Sequence, residues 1–171
     1  MKPPLVVVGG VSGSGKSVLG EALAGRLGVP YADGDDFHSP ANVAKMASGQ
    51  PLRDDEREPW LDAIGRWLAE HAASGAVMSC SALSRHHRSR LLGHARDAVF
   101  CQLRCSQETL AERLAGRSDH FMPSSLLASQ LAALEPLESD EPGVVLGCSR
   151  PVDDLVADVV RWLSYAERPP R

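Results

Sequence analysis

The chain has 171 residues, 43% of them hydrophobic and 23% charged, with a net charge of -4 and a pI near 5.8. That length suits one domain with a full-sized core, and the mild acidity argues against nucleic acid or an anionic membrane surface as the main partner. No apolar run approaches the ~20 residues of a membrane span, and Leu5–Val8 is too short for a signal-peptide core, so a cytoplasmic location is expected.

The run Leu5-Val6-Val7-Val8 predicts a buried strand. It leads into Gly10-Val11-Ser12-Gly13-Ser14-Gly15-Lys16-Ser17, a complete G-x-x-x-x-G-K-[ST] pattern, and then into a helix over 16–27 with Leu19, Leu23 and Leu27 on one face. Strand, glycine loop and helix in that order make a phosphate-binding loop. Its backbone N–H groups face phosphate oxygens, and the helix N-terminus adds partial positive charge. Lys16 supplies an ammonium for the outer phosphates, and the Ser17 hydroxyl is a ligand for Mg2+. Three lysines (Lys2, Lys16, Lys45) stand against fifteen arginines, so a lysine here is no by-product of basic composition. The loop predicts a bound nucleoside triphosphate.

A second strand is expected over 29–32, followed by a polar stretch, 33–57, that is long for a simple connection. It opens Asp33-Gly34-Asp35-Asp36-Phe37-His38. Carboxylates at i and i+2 beyond a strand end suit the two acidic roles of phosphoryl transfer to a hydroxyl: Asp33 or Asp35 helps hold Mg2+, and the other orients or deprotonates the acceptor. A solvated acidic turn is the plain alternative. Asp36 breaks the alternation and is read as solvated, while His38 either caps the turn or contacts ligand. Asp54 or Asp55 is expected to cap a helix over 58–72 that Pro59 helps start, with Trp60, Leu61, Ile64, Trp67 and Leu68 as its core stripe. Arg57 offers a guanidinium fork for a substrate carboxylate; pairing with nearby acids at the surface is its alternative.

The third strand, over 76–80, runs into Ser79-Cys80-Ser81-Ala82-Leu83 rather than the Mg2+-holding aspartate of a typical ATPase or GTPase. The guanine-selecting N-K-x-D pattern is also absent, and both features favour a small-molecule kinase. Further strands are expected over 98–104 and 143–148, with helices over 84–95, 106–116, 124–135 and 152–165. Arg113 and Arg117 share a helix face. They are placed near the triphosphate on a closing lid that excludes water, or else form a solvated basic face. His86 and His87 diverge by ~100° on a helix and are not read as a metal site. The four cysteines (Cys80, Cys101, Cys105, Cys148) lie in or beside strand-like runs and are read as reduced core residues. The alternation implies an α/β fold: one domain over 1–171, three layers α/β/α, a five-stranded parallel sheet, an acceptor-binding segment at about 33–60 and a mobile lid at about 113–140.

Several runs together resemble the gluconokinase family, the small P-loop sugar-acid kinases related in fold to shikimate and nucleoside monophosphate kinases. The similarity rests on the phosphate loop, Asp33-Gly34-Asp35 with Phe37-His38, Asn42, Lys45-Met46-Ala47-Ser48-Gly49, Pro51-Leu52, Asp54-Asp55, Arg57 and Pro59-Trp60-Leu61. It continues in Cys80-Ser81-Ala82-Leu83, Arg113-Leu114, Arg117, His120-Phe121, Gln130 and Glu135-Pro136-Leu137. The resemblance implies transfer of the ATP γ-phosphoryl group to the terminal hydroxyl of D-gluconate, with Mg2+. It further implies Asp33 at the metal, Asp35 at the acceptor hydroxyl, Arg57 at the gluconate carboxylate, and His38 and Ser81 lining the pocket. Arg88 is the next candidate cation for that carboxylate, Arg117 and Arg113 come from the lid, and a homodimer is a compatible assembly. Ser84, His87 and Ser89 depart from the family pattern, with Arg85 as a candidate replacement for a missing cation. Two other readings stay open: a kinase for another small hydroxy acid such as shikimate, and a nucleotide-binding regulatory protein without turnover. Intact Lys16, Asp35 and lid arginines argue against the second.

Overall fold

The computed structural model describes residues 2–116 and 126–167, so Arg117, His120 and Phe121 lie outside the described residues. The chain begins with β1 (Leu5–Gly9), α1 (Lys16–Leu27) and β2 (Tyr31–Asp33), then a 3-10 turn over Gly34–Phe37. Next come α2 (Pro40–Ala47), α3 (Asp54–Glu70), β3 (Ala76–Ser79), α4 (Arg85–His94) and β4 (Ala98–Arg104). The remainder is α5 (Gln107–Ala115), α6 (Leu127–Ala133), β5 (Gly143–Gly147) and α7 (Val152–Ala166). The five strands are parallel, in the order β2-β3-β1-β4-β5. Chain order reverses beside β1, which opens a crevice at the strands' carboxyl ends, where open α/β sheets bind ligands.

Strand β1 is apolar throughout because helices cover both faces of the sheet. Alternate residues point to opposite sides. Leu5 and Val7 join Leu61, Ile64 and Leu68 of α3 with Leu91 of α4 on one face. Val6 and Val8 join Leu19 and Leu23 of α1 with Leu155 and Val159 of α7 on the other. The result is the expected three-layer sandwich.

Two local expectations need correction. Helix α2 forms inside the polar stretch 33–57, where no helix is expected: Pro40 opens it, and the Ser39 hydroxyl accepts a hydrogen bond from the Asn42 N–H at 3.2 Å. Helix α3 begins at Asp54, earlier than expected, and neither Asp54 nor Asp55 caps it. Arg53 is the N-cap, its N–H donating to Glu56 Oε2 at 2.7 Å. Pro59 lies inside the helix, where the carbonyl it leaves without a donor belongs to the exposed residue Asp55.

The cysteines divide. Cys80 and Cys101 are buried free thiols, as expected. Cys105 and Cys148 are instead joined in a disulfide, with Cα atoms 5.3 Å apart. The register explains why. Arg104 stands opposite Gly147 in the β4–β5 ladder, so the next residues outward, Cys105 and Cys148, face one another; the Cys148 N–H still donates to the Arg104 carbonyl at 3.0 Å.

Candidate active site

The phosphate loop occupies the crevice beyond β1. Gly15 holds φ near 95°, a left-handed conformation costly for other residues, and releases the chain directly into α1 at Lys16. The Lys16 ammonium donates to the Val11 carbonyl at 3.0 Å, and the Ser17 hydroxyl donates to Asp33 Oδ2 at 3.1 Å. Ser79, at the end of β3, donates to the Lys16 carbonyl at 2.9 Å and accepts from the Tyr31 hydroxyl at 3.0 Å. Asp33 stands beside Ser79 in the β2–β3 register. A carboxylate thus stands one strand away from the strand end where typical ATPases carry theirs.

The turn after β2 is shaped by close packing. A Cβ on Gly34 would lie 2.7 Å from the Ser79 carbonyl oxygen, so only glycine lets the two aspartates flank the strand end. Trp60 Nε1–H donates to the Gly34 carbonyl at 2.7 Å, and the Asp35 N–H donates to Asp33 Oδ1 at 2.9 Å. His38 stacks on Trp60, with ring centres 4.2 Å apart and planes inclined by 11°. Trp60 is therefore core and pocket wall at once. The next turn, after β3, carries Ala82 at φ 41°, an uncommon conformation for a residue with a Cβ. Its neighbour Ser81 accepts from the Gly10 N–H at 3.1 Å.

One cavity is lined by Ser12, Gly13, Gly15, Lys16, Ser17, Asp33, Asp35, His38, Arg57 and Ser81, together with Met46, Trp60, Leu83 and Gln130. Gly10, Val11 and Ser14 complete the loop behind it. The hydroxyls of Ser12 and Ser14 and Nδ1 of His38 are buried without a hydrogen-bond partner among the described residues, which fits a polar ligand bearing many acceptors. Arg113 approaches the loop from the rear. It donates to the Gly13 and Ser14 carbonyls at 3.3 and 3.2 Å and to the Cys148 carbonyl at 3.0 Å.

Burial pushes the His38 imidazole down to about 4, and the positive charge of Arg57 acts in the same direction. His38 is therefore neutral at neutral pH. An unfolded imidazole takes up its proton near 6.5, whereas folded His38 resists until about 4. The unfolded chain binds more protons within that window, so stability falls as pH drops from 6.5 towards 4. We expect His38→Gln to flatten this acid slope, read from thermal unfolding midpoints across the window; an unchanged slope would mean another group carries it.

Comparison with known proteins places the chain among small kinases. A family model described as an AAA domain covers residues 6–124. The gluconokinase of Gluconobacter oxydans (strain 621H) is 45% identical over 163 residues, spanning 94% of this chain and 92% of that protein. The chain belongs to the gluconokinase family. The solved structure of a gluconokinase from Sinorhizobium meliloti 1021 is 41% identical, with a TM-score of 0.83 over 97% of this chain and 98% of that one. An unliganded sugar kinase from Janibacter sp. HTCC2649 is also 41% identical, with a TM-score of 0.90 over 95% of each chain.

Against the gluconokinase pattern, two of the departures after β3, Ser84 and His87, serve to cap helix α4. Ser84 Oγ accepts from the His87 N–H at 3.1 Å, and His87 Nδ1 accepts from the Ser84 N–H at 3.3 Å, a reciprocal cap at the helix start. Arg85 pairs with Glu138 and Asp140, outside the cavity, so it does not replace a substrate cation. Arg88 does not reach the cavity either. Only 1% exposed, it forks onto the Glu141 carboxylate at 2.7 and 3.0 Å and donates to the carbonyls of Ala82, Leu83 and Glu135. Nothing among the described residues groups three His, Cys, Asp or Glu side chains as a metal cluster, His86 and His87 included.

One wall residue of this gluconokinase-family site has no legible role in the sequence. Gln130 on α6 accepts, through Oε1, the Ser12 N–H of the phosphate loop at 2.6 Å. Just before it, Leu126 packs with Met46 and Leu52 of the acceptor segment. The two ends of this contact are 118 residues apart, and only the fold places them side by side.

Proposed function

We propose that this chain is a gluconokinase, transferring the γ-phosphoryl group of ATP to the terminal hydroxyl of D-gluconate to give 6-phospho-D-gluconate and ADP. The observation that carries the reading is the single cavity in which Lys16 and Ser17 of the phosphate loop meet Asp33, Asp35, His38 and Arg57. Asp35 accepts the proton of the attacking hydroxyl. Lys16 and the loop N–H groups hold the phosphates in line with it. Arg57, its side chain 19% exposed at the mouth of the acceptor side, receives the gluconate carboxylate as a fork. Neutral His38 and Ser81 meet sugar hydroxyls without adding a charge that would compete for the carboxylate.

Ser17 and Asp33 present a hydroxyl and a carboxylate oxygen 3.1 Å apart, a donor set suited to a hard cation. Mg2+ bound there would neutralise charge on the phosphate oxygens. The adenine end of ATP is assigned to the neighbouring cavity beside Arg113, Arg150 and Val152. Arg117, outside the described residues, is assigned to charge stabilisation on the transferred group. No helix among the described residues is long and apolar enough to cross a membrane, and we place the enzyme in the cytoplasm, where its cosubstrate is kept.

The test is ADP release across a panel of sugar acids, with shikimate and nucleoside monophosphates included. Gluconate alone should drive strong release, and its failure to do so at saturating ATP and Mg2+ would overturn the assignment. Arg57→Lys is expected to raise the gluconate KM about 10- to 100-fold, the worth of one charge-assisted hydrogen bond, with kcat much less affected. Steady-state kinetics in gluconate reads this directly, and an unchanged KM removes Arg57 from carboxylate recognition.

A further inference from the structure

The Cys105–Cys148 disulfide sits where the enzyme would take its nucleotide. Both cysteines occupy turns at the carboxyl ends of their strands, at the same edge of the sheet as the phosphate loop. Cys148 lines the second cavity together with Gly13, Gly15, Arg113 and Arg150. One guanidinium joins the parts. Arg113 donates to the Cys148 carbonyl and to the Gly13 and Ser14 carbonyls, and its Nη1 lies 3.9 Å from Cys105 Sγ.

We propose that Cys105 and Cys148 form a site of reversible thiol–disulfide exchange, taking a low-molecular-weight disulfide of the glutathione class as oxidant, and that its state sets the affinity of the adjoining cavity for nucleotide. The second clause rests on the reading of that cavity as the adenine site. Cys105 is partly exposed, so an incoming disulfide can reach it, whereas Cys148 is buried against the cavity wall. When the pair is reduced, the Arg113 cation beside Cys105 favours the thiolate, which is the attacking species. That thiolate attacks one sulfur of the small disulfide and expels a small thiolate, leaving a mixed disulfide on Cys105. The Cys148 thiolate then attacks the Cys105 sulfur and expels the second small thiolate. Overall, two protein thiols are oxidised to one disulfide, one small disulfide is reduced to two small thiols, and the two protons pass to the released thiolates. The remaining cysteines do not compete: burial pushes the Cys80 and Cys101 thiols up to about 12.

The coupling to nucleotide follows from what the bond ties together. The turn at Cys105 leads into α5, which carries Arg113, while the turn at Cys148 leads to Arg150 and Val152 of the opposite cavity wall. With the bond closed, the Cys148 carbonyl is held within reach of Arg113, and that same guanidinium braces the carbonyls of the phosphate loop. With the bond open, Cys148 keeps its ladder hydrogen bond to Arg104, the Arg113 contact and its core packing, but the covalent tie that fixes the start of α5 against the turn leading to Arg150 is gone, and the two walls of the cavity are less firmly held together. The cross-linked state is therefore the tighter nucleotide binder.

The full chain equilibrated in glutathione buffers, from reducing to oxidising, tests this in two readouts. Maleimide labelling followed by mass measurement should show one transition losing two labelled thiols, absent from Cys105→Ser and from Cys148→Ser, with circular dichroism confirming that both variants fold and Cys105→Ala standing in if the first does not. Calorimetric titration should show ADP binding about fivefold or more tighter in the oxidised protein than in the reduced one. A pair that never interconverts across the buffer range, or ADP affinities within twofold of each other in the two states, would overturn the proposal. ADP that fails to bind in either state overturns instead the nucleotide reading on which it rests.

Discussion

Asp35→Asn is expected to lower kcat about 10²- to 10⁴-fold while leaving ADP affinity within a few-fold, the range that a positioned general base contributes. The substitution keeps the size of the side chain and leaves in place the backbone N–H that binds Asp33 Oδ1 at 2.9 Å, so the turn and the Asp33 carboxylate keep their geometry. What disappears is the capacity to take a proton from the acceptor hydroxyl. Steady-state turnover with gluconate, set beside calorimetric ADP binding, separates the two effects. Near-normal kcat would remove Asp35 from proton transfer, and a matching loss of ADP affinity would place it on the donor side instead. Because Asp33 accepts from Ser17, the parallel change at Asp33 should disturb the nucleotide side as well, which makes the pair of variants diagnostic of the division of labour.

Arg88→Ala should destabilise the protein by about 3–5 kcal/mol, the usual cost of removing one partner from a buried ion pair. At this chain length that is a fall in Tm of about 6–20 °C. The guanidinium is almost fully enclosed and all three of its nitrogens donate: a two-point fork to Glu141 and three carbonyl acceptors in the turn after β3 and the segment after α6. Truncation leaves the Glu141 carboxylate, itself only 5% exposed, without its counter-charge. It also releases the two carbonyls that flank the left-handed Ala82 turn beside Ser81. Combining Arg88→Met with Glu141→Leu should recover part of the loss, since no buried charge then stands alone and the Leu83 and Glu135 carbonyls keep the Glu135 N–H and the Gln102 amide as donors, although the Ala82 carbonyl loses the guanidinium. Denaturant and thermal unfolding measure both variants. A stable Arg88→Ala protein with only a raised gluconate KM would return Arg88 to the substrate site.

The contrast between Arg57 and Arg88 shows where a linear reading stops. Both are arginines beside apolar residues of the chain, and both are candidates for the gluconate carboxylate on sequence grounds. Arg57 opens into the cavity from the first turns of α3, whereas Arg88 points from α4 into the interior and is consumed by Glu141, which lies 53 residues later. Nothing in the spacing around either residue encodes that difference. Helix α2 is hard to read from the sequence for a related reason. It is only eight residues long with Met46 as its one buried residue, too short to stand out within a polar stretch, and it is held by a serine cap and by contact with Leu52 and Leu126.

The phosphate loop, the paired-aspartate turn and the five strands were determined by the sequence alone, because each depends on interactions within a few residues: glycine conformations, a strand end, a helix start, an unbroken apolar run. The tertiary structure decided everything that depends on which distant segments lie side by side. It set Asp33 against Ser17, Gln130 against Ser12, Glu141 against Arg88, and Cys105 against Cys148. Those contacts arise from strand order and register, and a parallel sheet joins residues that its crossover helices keep far apart along the chain.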